Sequence, residues 1–241
     1  MTQLSVNVNK LATLRNSREK NNPNVLEMTL DIIRYGAAGI TVHPRPDGRH
    51  IRKEDVYDIA KTIQVEFNIE GYPDQAFLAL MREVKPTQCT LVPDPPHVLT
   101  SNAGWRIEEN VLFLQETIAD LHQQGIRTSL FVDPHQMTAT DIELLSVTGT
   151  DRVELYTEAY ADDFGTSNMD KTLAIYKKVA MEVNRLGIDL NAGHDLNLKN
   201  LRHFIKEIPT IKEVSIGHAL ICDALQLGMK EAVSQYLACL A

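Results

Sequence analysis

His43, His194 and His218, together with Glu70, are the side chains of this sequence best suited to move protons near neutral pH. Imidazole titrates in that range, and a desolvated carboxyl group can be raised toward it. The same residue types could ligate zinc, manganese or iron. No HExxH or paired-ligand spacing is present, so no metal and no cofactor is assigned. Lys10 is the one lysine close to a strand end, a thin basis for Schiff-base chemistry. Cations gather near the same residues: Arg15 and Arg18 follow the first apolar run, and Arg45, Arg49 and His50 follow His43. In a chain of net charge −8, such a cluster points to an anionic ligand. Gly193-His194 and Gly217-His218 offer glycine turns where backbone N–H groups could receive phosphate.

These residues need elements that bring them together. Eight short apolar runs are legible: Leu4–Val8, Gly39–His43, Val65–Ile69, Cys89–Val92, Gly125–Asp133, Val153–Tyr156, Gly187–His194 and Val214–Ile216. Their continuity suits parallel strands covered on both faces. Gly39, Gly125 and Gly187 each fit the left-handed residue that closes a helix before a strand. Leu26, Leu30, Ile33 and Ala37 fall on one helical face, as do Ile107 to Leu121 and Leu173 to Leu186, the last with Ser167 or Asn168 as N-cap. Further helices are expected near 53–63, 74–84, 136–146, 198–206 and 220–238. Strand and helix alternating eight times predict an α/β fold, a (β/α)8 barrel formed by residues 1–241 as one domain. A doubly wound open sheet is the alternative, but no GxGxxG follows the first strand.

A barrel of this kind gathers the C-terminal ends of its strands at one mouth. There the sequence places Asn7, Asn9 and Lys10, then His43, Glu70, Asp94 with Thr100, Asp133, Glu154 with Thr157 and Glu158, Asn191 with His194, and His218. Polar groups at nearly every strand end read as an active site. Composition agrees with a soluble, cytoplasmic enzyme: hydrophobic residues make up 44% and charged residues 23%. No apolar run is long enough to span a membrane, and no basic cluster is dense enough to follow nucleic acid. Cys89, Cys222 and Cys239 form no CxxC, so neither a disulfide framework nor a zinc site is indicated.

Taken together, Asn7-x-Asn9-Lys10 through Arg15-Asn-Ser-Arg18, Gly39-Ile-Thr-Val-His43-x-Arg45, Arg49-His50, Asn68-Ile-Glu70, Leu91-Val-Pro93, Asn191-Ala-Gly-His194 and Ile216-Gly-His218 resemble the pyridoxine 5′-phosphate synthase family, in order along nearly the whole chain. The resemblance implies a (β/α)8 barrel that assembles into octamers and works without metal or organic cofactor. It implies condensation of two phosphorylated substrates, 1-deoxy-D-xylulose 5-phosphate and 3-amino-2-oxopropyl phosphate, to pyridoxine 5′-phosphate, inorganic phosphate and water. His43 and Glu70 then match proton acceptors and His194 a proton donor. Asn7, Asn9, Lys10, Arg18, Arg45, His50 and Thr100 match substrate-holding positions. Gly217, His218 and Asp195 match the phosphate side.

Departures from the family pattern cluster at the mouth. Asn9-Lys10 stands where Asp-His is usual, and Asp195 and Glu158 stand where glycine is usual. Asp195 is expected to cap the helix after the seventh strand, where its charge would oppose a phosphate. A metal-dependent sugar-phosphate isomerase or aldolase, or a non-catalytic phosphometabolite-binding barrel, would use the same residues. The Pro- and Ser-containing stretch Asp94–Arg106, with Trp105 at its base, is the expected lid.

Overall fold

The computed structural model describes residues 1–18, 20–93 and 103–241. Eight parallel strands close into a barrel in sequence order: β1 (Gln3–Asn7), β2 (Gly39–Val42), β3 (Glu66–Gly71), β4 (Gln88–Leu91), β5 (Arg127–Val132), β6 (Arg152–Tyr156), β7 (Asp189–Gly193) and β8 (Ile211–Ile216). β8 pairs with β1, Leu4 opposite Val214, and this closes the ring. The helices are α1 (Asn9–Asn16), α2 (Val25–Arg34), α3 (Lys53–Thr62), α4 (Gln75–Val84), α5 (Ile107–Gln123) and α6 (Ala139–Thr148), followed by α7 (Glu158–Asp163), α8 (Met169–Arg185), α9 (Leu201–Glu207), α10 (His218–Leu227) and α11 (Met229–Cys239). The expected (β/α)8 barrel is present, and no helix among the described residues is long and apolar enough to cross a membrane.

The strands are covered on both faces, as expected, but only one of those faces is apolar. Leu4, Val6, Ile40, Val42, Ile69, Leu91, Leu155 and Val214 are buried against the helices, in one cluster with Ile32, Ile59, Met81, Leu114, Tyr176 and Phe204. The alternate positions Ser5, Thr41, Asn68, Thr90 and Glu154 are buried as well. Strand geometry turns successive side chains to opposite faces, so this second set fills the barrel interior. There it forms a chain of hydrogen bonds: Ser5 Oγ to Thr41 Oγ1 at 2.8 Å, Thr90 Oγ1 donating to Asn68 Oδ1 at 3.0 Å, and Asn68 Nδ2 donating to Thr41 Oγ1 at 3.4 Å. At the end of the barrel away from the mouth, Arg127 pairs with Glu66, and Arg152 lies 3.7 Å from both Glu66 and Glu213. The apolar core is therefore the annulus between strands and helices, and the lumen is polar.

Three local expectations are corrected. Gly125 and Gly187 do take left-handed φ values of 76° and 77°, but before β2 that residue is Gly36, with φ 114°. Gly39 is the first residue of β2, paired with Ser5 and Glu66. The helix expected over 220–238 is two, α10 and α11, because Gly228 takes φ 82° and ψ 149° between them. Asn168 stands at the N-cap of α8, yet its side chain makes no capping bond. α1 and α7 lie outside the expected helices; they are short helices of eight and six residues, each following a strand.

Trp105 is anchored through both its side chain and its backbone. Its indole N–H donates to the Leu91 carbonyl at 2.9 Å, and its backbone N–H donates to the Phe131 carbonyl at 2.9 Å. Gly104, just before it, runs against β5: a Cβ there would lie 2.0 Å from the Asp133 nitrogen. Backbone cannot yield as a side chain can, so Gly104→Ala should destabilise the fold by about 3 kcal/mol, at the upper end for overpacking. In a chain of this size that lowers the thermal midpoint by roughly 5–10 °C. A midpoint within about 1 °C of the parent would contradict the close approach.

Candidate active site

A cavity of about 630 Å³ opens at the C-terminal end of the barrel. Of the residues singled out from sequence, Asn7, Asn9, Lys10, His43, Arg45, His50, Glu70, His194, Asp195, Gly217 and His218 all line it. Arg18 does not; it is exposed beyond the end of α1. Thr100, Asp94 and most of the expected lid lie outside the described residues.

β1 and the start of α1 build one wall. Asn7 Nδ2 donates to Glu70 Oε2 at 3.4 Å, and Asn7 Oδ1 accepts the Asn9 backbone N–H at 3.1 Å. Asn9 Oδ1 in turn accepts the His43 backbone N–H at 2.9 Å. The two asparagines thus tie the ends of β1, β2 and β3 together. Asn9 has a structural duty that the sequence did not reveal. Glu70 Oε2 lies 3.7 Å from His43 Nδ1, so the two groups sit side by side at the mouth.

Burial holds the His43 pKa well below the ordinary histidine value, and Arg45, His50 and Arg49 push it further down. His43 is therefore a neutral imidazole at pH 7, the form that accepts a proton. His50 is lowered to about 4 by burial and by Arg45, Lys10 and Arg49, with Asp47 opposing. Its Nδ1 accepts the Ile51 N–H at 2.9 Å, which assigns the ring proton to Nε2 and makes that atom a donor. Cations and a donor histidine on one wall suit an anion.

Arg15 after β1 and Arg49 after β2 have different fates. Arg15 does not face the mouth: its guanidinium pairs with Asp55 and donates to the His50 carbonyl. Asn16 Nδ2 adds a bond of 2.8 Å to the same carbonyl. Arg15 and Asn16 therefore fasten the loop that carries Arg45 and His50. Arg49 lines the cavity while paired with Asp47.

β6 contributes a residue that was seen at a strand end but not assigned to the site. Glu154 is buried on the inward face, lines the cavity, and is raised to about 7 by burial, with His194 and Thr90 opposing. The signal was a lone carboxyl between Val153 and Leu155. Gly193 makes room for it, since a Cβ there would lie 2.5 Å from Glu154 Oε1. A carboxyl whose folded pKa is raised stabilises the fold below about pH 4.5, and that contribution is lost as pH rises toward about 7. Glu154→Gln imitates the neutral form, so it should gain on the parent across that window, by on the order of 3 kcal/mol. Thermal midpoints at pH 5 and pH 8 check this; an equal gap between the two proteins at both values would contradict it.

The remaining strand-end residues serve structure. Asp133 accepts the His135 N–H in a turn, Asn191 accepts from Arg152 inside the barrel, and Thr157 Oγ1 donates to the Gly193 carbonyl. Glu158 lines the cavity and accepts from the Tyr156 hydroxyl. α10 begins at His218, directly after Gly217, so its N-terminus opens onto the cavity. β7 offers no such helix start, because α9 begins only at Leu201. Asp195 is accordingly not a helix cap. Among the described residues no group of three or more His, Cys, Asp or Glu is arranged to hold a metal ion.

A family model described as "Pyridoxal phosphate biosynthesis protein PdxJ" matches residues 4–241. The chain belongs to the PdxJ family. Pyridoxine 5′-phosphate synthases from Parabacteroides distasonis and Porphyromonas gingivalis are each 54% identical to it. The first alignment covers 100% of this chain and 99% of the relative, the second 98% of each. The PdxJ barrel also resembles more distant solved structures. Phosphoribosylanthranilate isomerase from Thermotoga maritima superposes with a TM-score of 0.61 at 14% identity, covering 100% of this chain and 98% of that one. 3-Keto-L-gulonate-6-phosphate decarboxylase from Vibrio cholerae gives 0.66 at 9%, covering 99% and 97%. These last two likenesses concern the fold alone.

Proposed function

We propose that this PdxJ family member is a pyridoxine 5′-phosphate synthase that joins 1-deoxy-D-xylulose 5-phosphate and 3-amino-2-oxopropyl phosphate. The observation that carries the reading is the convergence of His43, Glu70 and His194 on one cavity whose wall also bears Lys10, Arg45 and His50. Ring closure proceeds through imine formation, loss of phosphate, water addition, carbon–carbon bond formation and dehydration, and each step moves a proton. A neutral His43 and Glu70 accept protons, and His194 donates them. Glu154 has a pKa near the working pH, which lets it exchange protons in the same cavity without large cost.

The phosphate groups are divided between two regions. Arg45, His50 and Lys10 receive one, and the Gly217-His218 start of α10 receives the other, where backbone N–H groups and the helix dipole favour an anion. The family resemblance adds Arg18 and Thr100 as substrate-holding positions, although Arg18 lies outside this cavity. Residues 1–241 work as one barrel domain in a cytoplasmic homo-octamer.

Turnover with the two substrates, with and without EDTA, tests the reading. Pyridoxine 5′-phosphate should form at the same rate in both buffers. Loss of activity on chelation, restored by a divalent metal, would favour a metal-dependent barrel enzyme. Tight binding of either phosphate ester without turnover would favour a binding protein.

A further inference from the structure

His194 and Asp195 form a contact that the family pattern, with glycine after the histidine, would not provide. His194 Nδ1 and Asp195 Oδ2 are 2.7 Å apart. The contact is made by adjacent residues, and the backbone bends to allow it: φ is 84° at His194 and 59° at Asp195. The left-handed region is unfavourable for L-residues, although Asp tolerates it better than most. The bend is fixed from behind. The Asp195 carbonyl accepts from Asn197 Nδ2 at 3.2 Å and from Asn200 Nδ2 at 3.3 Å, and the Thr157 hydroxyl donates to the His194 carbonyl. Tyr156 packs its ring edge-on against the imidazole, with centroids 4.9 Å apart. Ring and carboxylate are held in register from three sides.

We propose that Asp195 is a positioning residue for His194, accepting Nδ1–H so that Nε2 is the nitrogen that exchanges the proton with substrate. The contact to His194 holds the Asp195 pKa below the ordinary carboxyl value, so Asp195 is a carboxylate and can only accept. A carboxylate at Nδ1 fixes the tautomer of a neutral imidazole and supports the imidazolium that must form before His194 donates. Other ionisable groups surround the pair: Glu154 and Tyr156 of β6, Glu158 of α7 and His218 of α10. Asp195 meets Nδ1 directly at 2.7 Å. Its charge is thereby engaged at the histidine, which also accounts for an acidic residue beside a phosphate-binding mouth.

This role rests on His194 being the proton donor, and the experiment separates the two claims. Asp195→Gly suits the left-handed φ and Asp195→Asn preserves shape, so both should fold as the parent does. Each should lower kcat roughly ten- to a hundredfold, the usual worth of a partner that orients a functional side chain, with KM within about threefold. The kcat–pH profile of both variants should differ from the parent's, because the carboxylate that meets Nδ1 is gone. Independently of activity, 15N spectra of histidine-labelled protein should show Nδ1 of His194 protonated in the parent and no longer preferred in Asp195→Gly. A bare Nδ1 in the parent would overturn the proposal. So would unchanged kcat and pH profile in both variants while His194→Asn is inactive. If His194→Asn itself keeps turnover within about threefold, the donor assignment fails, and the functional role of Asp195 falls with it. The nitrogen spectra then still decide whether the hydrogen bond exists.

Discussion

Glu70→Gln is expected to lower kcat by about 10²–10⁴-fold while leaving KM for both substrates within about threefold. The substitution keeps the shape of a side chain that lies 3.4 Å from Asn7 Nδ2 and 3.7 Å from His43 Nδ1. An amide oxygen can still accept from Asn7, so the wall formed by β1, β2 and β3 stays in place. What is lost is the ability to take a proton. Steady-state kinetics with each substrate varied in turn distinguish this from a packing effect. A variant within about threefold of the parent in kcat would remove Glu70 from the proton-transfer set.

Arg45→Lys should raise KM for the pentulose phosphate by about ten- to a hundredfold, the loss of one strong charge-assisted hydrogen bond, with a smaller change in kcat. The guanidinium is buried beside His43 and His50 and lines the cavity. Lysine keeps the charge but presents no planar fork to a phosphate. Charge and geometry can be separated with Arg45→Gln. Arg45 lowers the pKa of His43, so removing its charge lets that pKa rise and leaves His43 protonated to a higher pH. The acidic limb of kcat/KM should therefore move upward in Arg45→Gln and remain in place in Arg45→Lys. Unchanged KM in both variants would contradict phosphate binding at this wall.

The strand ends were readable because chemistry-bearing residues followed apolar runs at regular intervals. The character of the lumen was not read from them, although the signal existed. Leu4-Ser5-Val6-Asn7, Ile40-Thr41-Val42-His43 and Phe67-Asn68-Ile69-Glu70 alternate apolar and polar residues with period two. Reading these runs as continuously apolar masks this pattern and, with it, that the strand-end residue Glu154 points into the barrel. Spacing alone does not separate Arg15 from Arg45, since each follows a strand; only the family resemblance singles out Arg45. Only the fold brings Asp55, forty residues on, to Arg15 and leaves Arg45 facing the cavity. Asp195 was misplaced for a related reason. A residue just past a strand need not start the next helix: seven residues, His194 to Asn200, separate β7 from α9. The bend at Asp195 depends on the Asn197 and Asn200 side chains, which no local propensity distinguishes from ordinary loop residues. Gly228 could have been read as a break within the last helical stretch, since glycine costs about 1 kcal/mol inside a helix.

Central to the proposed function is that one mouth, using its own histidines and carboxylates, makes a new ring from two phosphate esters. The most direct test mixes purified protein with both substrates and follows inorganic phosphate and pyridoxine 5′-phosphate together. One phosphate should appear for each pyridoxine 5′-phosphate, neither product should form when a substrate is omitted, and Glu70→Gln should slow both equally. Conversion of a single substrate alone, or phosphate release without pyridoxine 5′-phosphate, would contradict the account.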